Sequence, residues 1–161
     1  MDILQQVDIA AEALAVDAAI AAWQIGTYPD ASGINVLVGG DLRNPPGREA
    51  CPYLMLVPMD FMYGHHAEAQ SAGIGLVVCV YDETKATRPG FDNITEYPGG
   101  RNAETLRRLA CTAIAAALDG DIDIPAAEVE YDPLEEFPFH LNYTLINLVE
   151  PQTVDHDQFV G

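Results

Sequence analysis

The stretch GIGLVVCVYDE, Gly73 to Glu83, decides the fold. From Ile74 to Tyr81 it is almost continuously apolar, and its first charge is Asp82. A run of this kind predicts a strand that is buried on both faces or central in its sheet. On its N-terminal side, YLMLVPM (Tyr53 to Met59) reads as a second strand. Pro58 cannot donate a ladder hydrogen bond, so it ends this strand, bulges it or sits at an edge. Further upstream, INVLV (Ile34 to Val38) is a short strand. It is followed by GGDLRNPPGREACP, a long loop that holds Arg43 and Arg48.

Downstream of the central run, TKATRPGFDNITEYPGGRN (Thr84 to Asn102) shows no periodicity and carries two prolines and three glycines. A loop this long inside one domain is either functional or disordered. The following NAETLRRLACTAIAAALDG reads as a helix, with Asn102 as N-cap and Gly120 at the C-cap. Its apolar face comprises Leu106, Leu109, Ala110, Ala113, Ile114, Ala117 and Leu118, with Arg107 and Arg108 pointing away. Two strands follow an acidic turn: AEVEY (Ala127 to Tyr131) and FHLNYTLINLVE (Phe139 to Glu150). At the other end of the chain, Asp2 to Trp23 reads as a first helix, capped by Asp2. Gln5 stands three residues on, and Leu4, Val7, Ala11 and Leu14 make the buried stripe. A loop marked by Gly26, Pro29, Asp30 and Gly33 ends it.

The order is helix, three strands, helix, two strands. It predicts an α+β domain over residues 1–150: a mostly antiparallel β-sheet of about five strands with two α-helices packed on it. Residues 151–161 lack a pattern and are expected to form a mobile tail.

The 161 residues carry 25 Asp and Glu against 7 Lys and Arg, a formal net charge of −18. Such a surface repels phosphate backbones and anionic lipid, which argues against sequence-specific nucleic-acid binding and against membrane binding. No apolar run reaches membrane-spanning length and the N-terminus lacks a basic leader, so a soluble, unprocessed, intracellular protein is expected. Cys51, Cys79 and Cys111 are odd in number and widely spaced. They read as buried, reduced thiols rather than a zinc site or a disulfide framework.

The sharpest candidate for chemistry is HHAE, His65 to Glu68. On a strand, His66 and Glu68 share a face while His65 points the other way. That supplies two ligands where a catalytic zinc wants three, and His140 is the conceivable third. Neither Ser32 nor Ser71 lies in a nucleophile elbow, and Lys85, the sole lysine, belongs to no phosphate-binding loop. DGDID (Asp119 to Asp123) fails the calcium-loop pattern at its sixth place, where Ile124 stands instead of the glycine that makes the sharp turn, although Glu130 falls at the twelfth. No catalytic, cofactor-binding or metal-binding residue is therefore assigned, and no cofactor is expected.

The whole layout resembles the tail-terminator, or tail-completion, proteins of long-tailed bacteriophages and prophages, across about residues 1–150. The stretches that carry the resemblance are CPYLMLVPM, the polar lead-in and strand HHAEAQSAGIGLVVCVYDE, the alanine-rich helix NAETLRRLACTAIAAAL and the closing FHLNYTLINLVE. The resemblance implies a structural protein rather than an enzyme, in the virion or the host cytoplasm. It implies a homo-oligomeric ring, commonly a hexamer, that caps the tail tube and joins it to the head connector. Two other readings are a small metal-dependent enzyme using His65, His66 and Glu68, and an acidic DNA mimic that inhibits a nucleic-acid-binding enzyme.

Overall fold

The computed structural model describes residues 2–40, 43–62, 70–118, 122–123, 129–131 and 137–148. The chain is α+β. Its elements run α1 (Ile3–Val16), α2 (Ala18–Thr27), β1 (Asn35–Val38), a 3-10 turn (Arg48–Ala50), β2 (Tyr53–Met62), β3 (Gln70–Tyr81), β4 (Ala86–Thr87), β5 (Thr95–Glu96), α3 (Gly99–Leu118), β6 (Ile122–Asp123), β7 (Val129–Tyr131) and β8 (Phe139–Leu148). Among the described residues no single helix is long and apolar enough to cross a membrane.

The expected first helix is two helices, bent by 51° at Asp17. Asp17 is extended, and its carboxylate accepts a 2.8 Å hydrogen bond from the amide of Ile20. An aspartate that satisfies an orphan amide starts a new helix more readily than it continues an old one. Asp2 caps α1 as expected, accepting from the Leu4 amide at 3.0 Å. The buried stripe of α1 is Val7, Ala10 and Leu14, with Ile3 partly covered. Leu4, assigned to that stripe from the sequence, is 60% exposed. The end of α2 is closed by Gln24, whose buried side chain donates to the carbonyls of Tyr28 and Ala31, both at 2.9 Å.

The main sheet has six strands, in the order β1-β2-β3-β8, with the short β6 and β7 along the remaining edge of β8. β3 is central, pairing antiparallel with β2 from Tyr53↔Cys79 to Met62↔Gln70 and with β8 from Ala72↔Leu148 to Tyr81↔Phe139. β1 joins β2 in parallel, the one departure from an antiparallel ladder in this sheet among the described residues. Pro58 resolves to an edge position. The carbonyls of Pro52 and Leu56 accept from Asn35 and Gly39, so even-numbered residues of β2 turn their backbone groups outward, away from β3. β1 partners end at Leu56, and Pro58 lies beyond them. Its missing amide hydrogen thus costs the β3 ladder nothing.

α1 and α3 cover one face of the sheet, and α2 packs on α3. The layer between them contains Leu54 and Leu56 from β2, Ile74, Leu76, Val78 and Val80 from β3, Ile146 and Leu148 from β8, and Leu106, Ala110 and Ile114 from α3. The opposite face buries Tyr53, Met55, Val77 and Cys79, against which Ala50, at the end of the 3-10 turn, and the following Cys51 pack. Both faces of β3 are therefore covered, as its unbroken apolar run predicts. Two polar residues, Asn142 and Thr144, precede Ile146 and Leu148 on the helix-facing side of β8. They are 1% and 2% exposed, and their side-chain polar atoms have no hydrogen-bond partner among the described residues.

α3 begins at Gly99, three residues before its expected cap. The amide of Asn102 already donates to the Pro98 carbonyl at 3.0 Å, so Asn102 lies inside the first turn and its side chain is used elsewhere. The expected C-cap Gly120, the HHAE stretch (His65, His66, Glu68) and the tail lie outside the described residues.

Candidate functional site

Three features meet where β3 leaves the sheet: a buried polar network, an ordered arm and an open cleft. The network is centred on Asp82, which is 8% exposed. Its amide donates to the Pro138 carbonyl at 2.9 Å, tying the end of β3 to the approach of β8. Its carboxylate accepts from the Thr84 amide at 2.8 Å and from the Tyr28 hydroxyl at 2.9 Å. Asn102 donates to the Tyr28 oxygen at 3.0 Å and lies 3.5 Å from the same carboxylate. One carboxylate thereby joins the end of α2, the end of β3 and the first turn of α3. Burial alone would raise its pKa. The Thr84 and Tyr28 donors, with His140 nearby, outweigh burial and hold it below the usual carboxylate range. Burial pushes the Tyr28 phenol far above its ordinary value, so it stays a donor.

His140, conceived from the sequence as a third metal ligand, belongs to this structural cluster. Its Nε2 lies 3.2 Å from the Asp82 carbonyl oxygen. Its ring packs against the Cα of Gly99, where any Cβ would land on it, and edge-on against Phe137. Among the described residues no group of three or more His, Cys, Asp or Glu side chains is placed to hold a metal ion.

The arm is the segment from Thr84 to Pro98. Read from sequence as a patternless loop, it is an ordered hairpin. β4 and β5 pair at Ala86↔Glu96 and Thr87↔Thr95, and the amide of Arg88 donates to Ile94. Turn bonds from Phe91 to Arg88 and from Ile94 to Phe91, with Gly90 at a φ of 83°, form the tip. Two arginines converge on one partner: Arg88 of the arm is ion-paired with Glu96, and Arg101, in the first turn of α3, approaches the same carboxylate at 3.8 Å. The Arg88 hydrogen bond holds the Glu96 pKa below its usual value. The arm also turns aromatic groups outward. Phe91 is 53% exposed at the tip, and Tyr97 sits at the base, edge-on to the exposed Phe137.

The cleft, about 680 Å³, lies between the loop after α2, the 3-10 turn and the end of β3. Arg48 stacks over the Tyr81 ring, 5.4 Å from its centroid, and the Tyr81 hydroxyl bonds Glu83. Cys51 lines the wall. Its Sγ is 3.7 Å from that of Cys79, a neighbour that the sequence separation of 28 residues concealed. Hydrogen bonding with Cys79 lowers the Cys51 pKa, against the opposing effects of burial and Glu49. Cys111 sits on α3, where burial raises its pKa.

On α3, Arg108 is exposed as expected, but Arg107 is not. Its guanidinium makes 2.7 and 2.6 Å bonds to Glu104 with the side chain only 14% exposed. Leu109, placed on the apolar face by its spacing, packs at the flank of the core, whereas Ile114 is fully buried.

No protein-family model matches the chain, and no curated protein matches its sequence.

Proposed function

We propose that this chain is an assembly subunit of the tail-terminator kind, which forms a homo-oligomeric ring between the tail tube and the head connector of a long-tailed phage or prophage. The observation that supports this reading is the arm. It is an ordered hairpin in which Arg88 pairs with Glu96 across the two strands, and it carries an aromatic residue, Phe91, outward at its tip. On a chain of net charge −18, contact between copies needs a patch that is apolar rather than ionic. Phe91 supplies such an apolar contact at the tip, while Arg88 and Arg101, 41% and 82% exposed, already share Glu96 as an acidic partner.

The mechanism is one of packing against repulsion. Each added subunit brings 18 net negative charges toward the others. At about 0.15 M salt the screening length is ~8 Å, so the repulsion across a ring is partly screened and the short-range apolar contact decides. Acidic side chains that face a channel would let DNA slide through without sticking.

The test is multi-angle light scattering across protein and salt concentration, followed by electron microscopy of the protein with isolated tail tubes. Rings that form more readily at higher salt, and that cap tube ends, are the expected result. Phe91→Ser is expected to weaken assembly while leaving the melting temperature unchanged. A strict monomer under every condition, with no binding to tubes or connectors, would sink the proposal.

A further inference from the structure

We infer that Cys51 and Cys79 form a reactive dithiol, in which Cys51 attacks a hydroperoxide and Cys79 resolves the product into an intramolecular disulfide. The two sulfurs lie 3.7 Å apart, but they differ in access. Cys51 is half-buried on the wall of the open cleft beside Arg48 and Glu49. Cys79 is 1% exposed, in the layer with Tyr53, Met55 and Val77. A small oxidant in the cleft therefore meets Cys51 first and reaches Cys79 only through it. Cys79 is also fixed in register between Tyr53 and Leu141. Cys51 stands between the 3-10 turn and the start of β2, outside the ladder, so it is the thiol able to move. A disulfide needs the sulfurs at about 2.0 Å, so closure asks for a shift of roughly 1.7 Å from the 3.7 Å separation.

The chemistry balances with the peroxide as sole oxidant. The Cys51 thiolate attacks one peroxide oxygen, the O–O bond breaks, and the other oxygen leaves as an alcohol or water after taking a proton. Cys51 is then a sulfenic acid. The Cys79 sulfur attacks that sulfur, the S–O bond breaks, and water departs with the thiol proton. One S–S bond has formed, and the peroxide has accepted two electrons. The depressed pKa of Cys51 raises the thiolate fraction for the first step. Cys111, on α3 and with its pKa raised by burial, is an internal control.

The test treats the full-length protein with a small molar excess of hydrogen peroxide, then quenches, unfolds, alkylates and maps the peptides by mass spectrometry. The expected product is a Cys51–Cys79 linked peptide lacking two hydrogens, with Cys111 alkylated. In Cys79→Ser, Cys51 should be trapped by dimedone as the sulfenic acid. In Cys51→Ser, Cys79 should survive unoxidised. The wild-type map decides alone if either variant fails to fold by circular dichroism. Both thiols still alkylatable while added glutathione is consumed, or Cys51 overoxidised beside an intact Cys79, would overturn the inference.

Discussion

Tyr28→Phe removes one oxygen from the Asp82 network and nothing else. In the native protein that oxygen donates to the Asp82 carboxylate at 2.9 Å and accepts from Asn102 at 3.0 Å. A hydrogen bond to a charged group contributes about 1.5–3 kcal/mol, and a neutral one about 1 kcal/mol. Asp82 retains the Thr84 amide, and Asn102, at 3.5 Å, is close enough to shift onto the carboxylate. That recovery offsets part of the loss, so the expected cost is about 2 kcal/mol at neutral pH. For a chain of this length, it corresponds to a fall in melting temperature of roughly 4–8 °C. The pH dependence gives the sharper check. The folded pKa of Asp82 is depressed, so its contribution is present above the unfolded carboxylate value and is lost as pH falls through the folded pKa. Tyr28→Phe reduces that depression, so the gap between wild type and variant should be widest near pH 7 and narrow in acid. Urea unfolding of both proteins at pH 7 and at about pH 3 measures it. An equal gap at both pH values would show that the lost bond from Asn102 accounts for the cost, and that the reasoning about Asp82 is wrong.

Three further outcomes follow from particular side chains. Thr144→Val exchanges a buried hydroxyl with no partner among the described residues for a methyl of the same shape. It should raise stability by about 1 kcal/mol in urea titration. Gly99→Ala drives a methyl into the His140 ring and should cost about 1–3 kcal/mol, with the loss reduced when His140→Ala makes room. Arg108→Ala should cost under about 0.5 kcal/mol and Arg107→Ala about 1 kcal/mol or more, because only the second breaks a covered two-pronged pair with Glu104. Thermal melts of the two variants side by side distinguish them.

The parts of the fold that the sequence made legible are those set by local pattern. β3 declares itself because both its faces are buried and no charge interrupts it; α3 declares itself because one stripe of leucine and alanine recurs at helical spacing. The break at Asp17 is harder to see, since alanines on either side suit one long helix as well as two short ones. The parallel pairing of β1 with β2 depends on where a chain returns, which composition does not encode. The same holds for the site. Tyr28, Asp82 and Asn102 are separated by 54 and 20 residues, and Asn102 looked like a cap because its chemistry suits one. The arm lacked a signal because its strands are two residues each, too short for an alternation to register. Arg107 was misplaced because a helical wheel locates the side chain's root, while its reach back to Glu104 covers it.

Pro58 bears on how the protein behaves when crowded. Among the described residues the outer rim of β2 has no β1 partner beyond Leu56, and an unpaired rim of backbone is a template on which a stray chain can add as a further strand. The outward-turned position on that rim is the one where proline stands, so the next donor that an approaching strand would need is absent. The half of β2 beyond its β1 partners is thereby protected against fibril-like growth by a residue that leaves the β3 ladder intact. Concentrated subunits can then meet through surfaces other than their raw strand edges.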